Sequence, residues 1–495
     1  MEVDLIESDI PNQPGLVQHQ RKRPTRPIDD AHPFDLDAYI SSYTGRTAVD
    51  RLINITASCP SIAPQALKLA FTHLYLLRDS SLVSAAISAY EMVASSPEGQ
   101  SLPPVADVVI VETGWIEKVA NKNMAERTKL EVELKTYSNN MIKESIRMGH
   151  RDLGDYHRAT GDYASALKHY TKSREFCSTS QHILDMCLSV LELVIEQRNY
   201  AHISSYICKA EGALDAAAAN AGPAGSDNTT PVQSAPKKPG VEREQIQSKL
   251  NLAMALSHLG QGNYERAASS FLRLGPAEQL GDWIGKLVGP GDIAIYGTLC
   301  ALASLSRSAI KAQLLGNSVF SVYIEQEPYI RDLIQAYMSS DFKTTLELLS
   351  RYSTRHYVDI HLGVHVNDIT QHIRNTAIVL YFQPFETIRL ERMAIAFGWT
   401  VDEVEKEVVT LIQNGKIQGR VDSQNKILKA KKPDHRAELF AYAMKTASDI
   451  QSTNRKLLLR MRLQQADLVV KNPKSNPRRD QAQGLEAAIA MGEMS

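Results

Sequence analysis

Leu153-Gly-Asp-Tyr-His-Arg-Ala-Thr-Gly-Asp-Tyr-Ala-Ser-Ala-Leu-Lys-His-Tyr-Thr-Lys-Ser-Arg-Glu175 is the stretch that decides the fold. It reads as two helices joined at Gly161-Asp162-Tyr163. Gly161 can end the first helix in a left-handed conformation. Small Ala166 lets the two helices approach, and Tyr163 and Tyr170 fill the groove between them. The same offsets recur at Gly262-Asn263-Tyr264 with Ala267 and Phe271, about a hundred residues on. Degenerate copies stand at Arg198-Asn199-Tyr200 and Ser340-Asp341-Phe342. Four such units between helical stripes predict an α-solenoid, a stack that buries a core between neighbours and offers a long surface to partners.

The hairpin resembles a tetratricopeptide repeat, although Ser178 stands at that family's terminal proline. Working outward, Ile62, Ala66, Leu69, Ala70, Leu74 and Leu77 recur at steps of three and four, as do Leu82, Ala86, Ala89, Tyr90 and Val93. Both are stripes of amphipathic helices. Residues 31–290 are therefore expected to form a right-handed array of tetratricopeptide-like hairpins. Residues 1–30, with four prolines and the cluster Arg21-Lys22-Arg23 and Arg26, are expected to be a disordered tail. A disordered insert is expected at 213–240, where 222–240 carry prolines and glycines and no aromatic residue.

The pattern changes at 370–432. Ile369, Ile373, Ala377 and Leu380 mark a helix that stops before Pro384. Leu390, Met393, Ala394 and Phe397 mark a second. Thr400 is a candidate N-cap for a third, carrying Val401, Val404, Val408, Leu411 and Ile412. Two strand-like runs, 416–421 and 426–430, follow around the turn 422–425. Three helices and a hairpin predict a winged helix. Beyond Pro433 a long helix is expected at 434–470, with Leu439, Ala443, Ile450, Leu457, Met461 and Leu468 on one stripe. A flexible tail is expected at 471–495.

Composition excludes several functions. The 495 residues carry 55 Lys and Arg against 56 Asp and Glu, a net charge of −1, so no global field draws nucleic acid or anionic lipid. No apolar run approaches a membrane span, and the acidic start lacks the basic-then-apolar order of a secretory leader. Five cysteines without a Cys-x-x-Cys pair predict reduced thiols in cytoplasm or nucleus. His361 and His365 are four apart, but Gly363 lies between them and no Glu follows His361. Gly281-Asp-Trp-Ile-Gly-Lys286 imitates a phosphate loop one residue short, with Leu287 where Ser or Thr should stand. No catalytic, metal or cofactor-binding residues are assigned, and no cofactor is expected. The third winged-helix helix carries Asp402, Glu403, Glu405 and Glu407 against Lys406, which argues against phosphate contact. The hairpin's Lys426, Lys429, Lys431 and Lys432 keep a nucleic-acid-binding regulator as a competing reading.

Solenoid, winged helix and C-terminal helix together resemble the PCI architecture of the proteasome lid, the constitutive-photomorphogenesis-9 signalosome and translation initiation factor three. Asp292–Leu302 is similar to the segment that leads into a PCI domain, here 291–433. Ile388–Phe397 is similar to the second winged-helix helix of that family. Arg420-Val-Asp-Ser-Gln-Asn-Lys-Ile-Leu-Lys-Ala430 is similar to the hairpin of the signalosome's subunit 1 family, and fits the related lid subunit less well. The resemblance implies a non-catalytic scaffold in a complex that removes NEDD8 from cullin-RING ubiquitin ligases. It implies partners reached through a ring of PCI domains and a shared helical bundle. The interaction residues expected are Ile417, Val421, Ile427 and Leu428 on the hairpin, and Ile450, Leu457, Met461 and Leu468 on the C-terminal helix. Gly161, Tyr163, Ala166 and Tyr170 are expected to pack the repeat. The other competing reading is a proteasome-lid scaffold.

Overall fold

The structure is a computed structural model that describes residues 28–29, 31–220, 239–431 and 435–468. Of the segments expected to be flexible, 1–30, 213–240 and 471–495, residues 1–27, 30, 221–238 and 471–495 lie outside the described residues. By internal contacts the chain divides in two. One unit runs to Ile417 and takes in Val421–Leu428; the other comprises Gln418–Arg420 and the residues from Lys429 on.

The first unit is built almost wholly of helices, many of them packed on the next helix in the chain. The expected hairpin is present as Lys143–Ala159 and Tyr163–Ser173. The Asp162 side chain accepts from the Ser165 N–H and caps the second helix. Gly161 is left-handed at φ +85°, and the residues at the same offset in the three other copies share that conformation. They are Arg198 at +60°, Gly262 at +74° and Ser340 at +67°. The turn geometry therefore recurs even where the glycine does not. Ala166 and Tyr170 are buried and Tyr163 is half-buried.

Gly154 faces Tyr170 so closely that a Cβ there would lie 2.5 Å from the ring. Tyr170 is held from its other end, its hydroxyl donating to Asp155 at 2.6 Å. Gly154→Ala is thus expected to push the two helices apart and cost about 1–3 kcal/mol. A melting temperature unchanged in Gly154→Ala would show that the ring can yield.

The insert starts later than expected. Helix Ile203–Asn220 runs through the predicted boundary, with Ala213 and Leu214 buried, and the next helix starts at Pro239. Alanine-rich composition allows this helix to extend past its last large aliphatic residue.

Helix Pro290–Ser304 is buried on every side from Asp292 to Ala303. Its proline sits in the first turn, where the missing N–H costs nothing. The N-terminal helix Gly45–Ser58 packs with it and with the segment around Val358, so the first and last thirds of this unit share a core. The winged helix follows as helices Val366–Phe382, Leu390–Phe397 and Val401–Gln413. Gly398, left-handed at φ +70°, ends the middle helix. Thr400 caps the last helix in a reciprocal box with Glu403.

The sheet differs from the expected two-stranded hairpin. Strand β1 (Thr387–Arg389) joins β2 (Gly419–Asp422) and β3 (Ile427–Ala430) in the order β1–β3–β2. In the second unit, the C-terminal helix spans His435–Gln465. Its end is shorter than the expected 470: Asp467 is left-handed, and the Leu468 N–H turns back to the Leu463 carbonyl at 3.0 Å. No described helix is long and apolar enough to cross a membrane.

Candidate functional site: assembly surfaces

A buried cluster of charged and phenolic side chains lies in the first unit. Arg51 is fully buried. Its guanidinium donates to Asp292 at 2.8 Å, to Asp359 at 2.6 Å and to the Tyr39 hydroxyl. The Tyr43 and Tyr296 hydroxyls donate to Asp292 and Asp359, each at 2.6 Å. Arg355 donates to the other Asp292 oxygen at 2.9 Å and to Glu327 at 3.3 Å. Burial works against the Asp359 charge, but Arg51, His361 and Arg355 outweigh it and hold the carboxyl well below its usual range. Sequence reading missed this cluster. The available signal was a charge inside an apolar stripe: Arg51 shares a face with Ala48, Leu52 and Ile55, and Asp292 opens an otherwise apolar helix.

The features that imitate chemistry are occupied by structure. The Tyr200 hydroxyl and His361 Nδ1 share a hydrogen bond of 2.6 Å, and burial pushes His361 down to about 4. His365 contacts Tyr264. In the glycine loop, Trp283 is buried and donates to Glu192, which also pairs with Lys286 at 2.7 Å. That lysine is already committed to a carboxylate. Among the described residues no three His, Cys, Asp or Glu side chains are grouped to hold a metal ion.

The hairpin residues part company. Ile417 and Leu428 are buried in the winged helix itself, while Val421 and Ile427 are half-buried. Ile417 and Leu428 are therefore core residues and not contact residues, a correction to the expectation. Leu428 lies on β3, whereas Ile417 precedes β2 and its N–H donates to the Leu411 carbonyl at 3.3 Å. The open edge also moves. One side of β3 is taken by β1, so the strands at the two ends of the sheet are β1 and β2. The basic hairpin is partly neutralised. Lys426 pairs with Glu405 at 2.6 Å and Asp402 at 3.3 Å on the third helix, and Glu407 faces Arg374 at 3.4 Å.

The C-terminal helix is the opposite case. Ile450, Leu457 and Met461 are 56%, 51% and 60% exposed, and Leu439, Phe440, Leu458 and Leu459 are exposed with them. Leu468 is exposed too but lies past the helix end. These large apolar side chains are left uncovered along the described helix.

Comparison with known proteins agrees with these features. A family model described as 26S proteasome subunit RPN7 matches residues 112–313, and a PCI domain model matches residues 326–432. COP9 signalosome complex subunit 1 of Arabidopsis thaliana is 33% identical, over 88% of this chain and 91% of its own length. COP9 signalosome complex subunit 1b of Drosophila melanogaster is 31% identical, over 89% of this chain and 87% of its own. The 26S proteasome non-ATPase regulatory subunit 6 of Oryza sativa subsp. japonica reaches 22%, over 42% of this chain and 53% of its own. The subunit 1 relatives align along nearly the whole chain, solenoid, winged helix and all, and at that identity the chain belongs to the COP9 signalosome complex subunit 1 family.

Proposed function

We propose that the chain is a non-catalytic scaffold of a signalosome, supporting removal of NEDD8 from cullin-RING ligases in cytoplasm and nucleus. The observation that carries this is the exposed apolar side chains of helix His435–Gln465. Burying Ile450, Leu457 and Met461 against partner helices would contribute about 1.5–3 kcal/mol each. Partners are the other subunits, reached through the PCI domain and this helix; cullin-RING ligases are reached through the complex.

The test is affinity capture of the tagged chain with mass spectrometry, comparing wild type with Leu457→Asp/Met461→Asp. The wild type should bring down the other signalosome subunits, and the variant should lose them while keeping the wild-type melting temperature. Cells lacking the chain should accumulate NEDD8-modified cullins, whereas the purified chain alone should cleave no cullin–NEDD8 bond. Capture of proteasome-lid subunits instead would favour the lid reading, which the match at 112–313 supports. Unfolding of the isolated variant would make the helix internal core.

A further inference from the structure

Resting on the scaffold reading, we infer that the distal half of the C-terminal helix is received by a groove between partner helices whose two rims carry carboxylates. At 3.6 residues per turn, Phe440, Ala447, Ile450, Leu457, Leu458 and Met461 fall within one stripe about 100° wide. The stripe is bounded on both sides by cations. Arg455 and Arg462 lie along one border and Arg460 along the other, with Lys456 on the back of the helix. Between Ile450 and Ala466 the helix holds these four cations and no carboxylate. All four are exposed.

This arrangement selects among occupants. A helix that buries a stripe between two flanks of one sign fits a groove with rims of the opposite sign. Such rim charges set orientation and association rate more than affinity. A second copy of the chain would set these cations against themselves, since Asp449 and Lys445 are the only other charges between Phe440 and Ala466. An anionic lipid surface would bury the whole stripe in hydrocarbon, but Asn454 lies in its centre. A polar side chain there fits a protein groove, where an amide can be answered by another polar group and fix the register.

The experiment uses the full chain co-expressed with the other subunits, captured at about 0.15 M salt, where exposed charges still act over several ångströms. Arg455→Glu/Arg460→Glu/Arg462→Glu should lower partner recovery at least tenfold. The corresponding triple change to Lys should retain it, and wild-type recovery should fall with added salt. If the Glu variant keeps its partners while Leu457→Asp/Met461→Asp loses them, the acidic groove is wrong and the scaffold reading stands. If the Asp pair also keeps them, the assembly role of the helix fails and this inference fails with it. Two further results would overturn the groove. One is sedimentation of the purified chain with vesicles of equal phosphatidylserine and phosphatidylcholine. The other is self-association of the chain in light scattering.

Discussion

Arg51→Met is expected to cost about 3–5 kcal/mol, the typical penalty for removing one partner of a buried ion cluster. Methionine fills much of the volume, so the loss is electrostatic. Asp359 would keep Arg355 as a more distant neighbour but lose the guanidinium that donates to it at 2.6 Å. The carboxylate must then stay charged without its ion pair or take up a proton. The effect should be local in origin, because the cluster ties helix Gly45–Ser58 to helix Pro290–Ser304 and to the segment at Asp359. Calorimetry should show a melting temperature lower by roughly five degrees, at about 1–1.5 °C per kcal/mol for a unit that extends to Ile417. Hydrogen exchange should report early loss of protection in residues 45–58. Arg51→Met combined with Asp359→Asn should cost less than the sum of the two single changes. A shift of only a degree in the single variant would show that water reaches the cluster and solvates the orphaned carboxylate.

Acidification from pH 7 to pH 5 should cost the fold about 4 kcal/mol at two buried histidines, mostly before ordinary carboxylates titrate. His356 and His361 are both buried. Desolvation pushes the first down to about 3 and the second to about 4, and Arg355 adds to the depression of His356. In the unfolded chain each imidazole takes up a proton near pH 6.5. Between that value and the lower folded values the unfolded state binds more protons, so stability falls as pH falls. At pH 5 each contributes about 1.5 pH units of difference, or about 2 kcal/mol. The Asp359 term has the depressed-carboxylate sign: it is fully present above about pH 4 and fades only below it, so it does not contribute in this window. Melting temperatures between pH 7 and 5 should fall in the wild type and fall less in His356→Gln/His361→Gln. An identical slope in the two proteins would place the acid sensitivity elsewhere.

The candidate surfaces were unequally legible. The apolar stripe of the C-terminal helix could be read directly, because an exposed apolar stripe carries the same periodic signal as a buried one. For the same reason the hairpin misled: burial within the chain calls for the same apolar side chains as contact with a partner, and Ile417 and Leu428 are buried. Strand β1 was invisible because three residues, Thr387–Arg389, are too few to show alternation. The buried cluster was invisible as a cluster because its members are separated by up to 308 residues in the chain.

Local chemistry determined what the sequence could determine alone. Asp or Asn before an aromatic residue set all four turns, with a left-handed residue ahead of each whether or not it is glycine. The three winged-helix helices and the Thr400 cap followed from the 3.6-residue period and capping, which depend on neighbours a few positions away. The tertiary structure alone decided which apolar faces are covered. It also decided that Arg51 meets Asp292 and Asp359, and that Ala213 and Leu214 belong to a helix rather than to the insert. Burial and charge pairing depend on which distant segments meet, and no period within the chain records that.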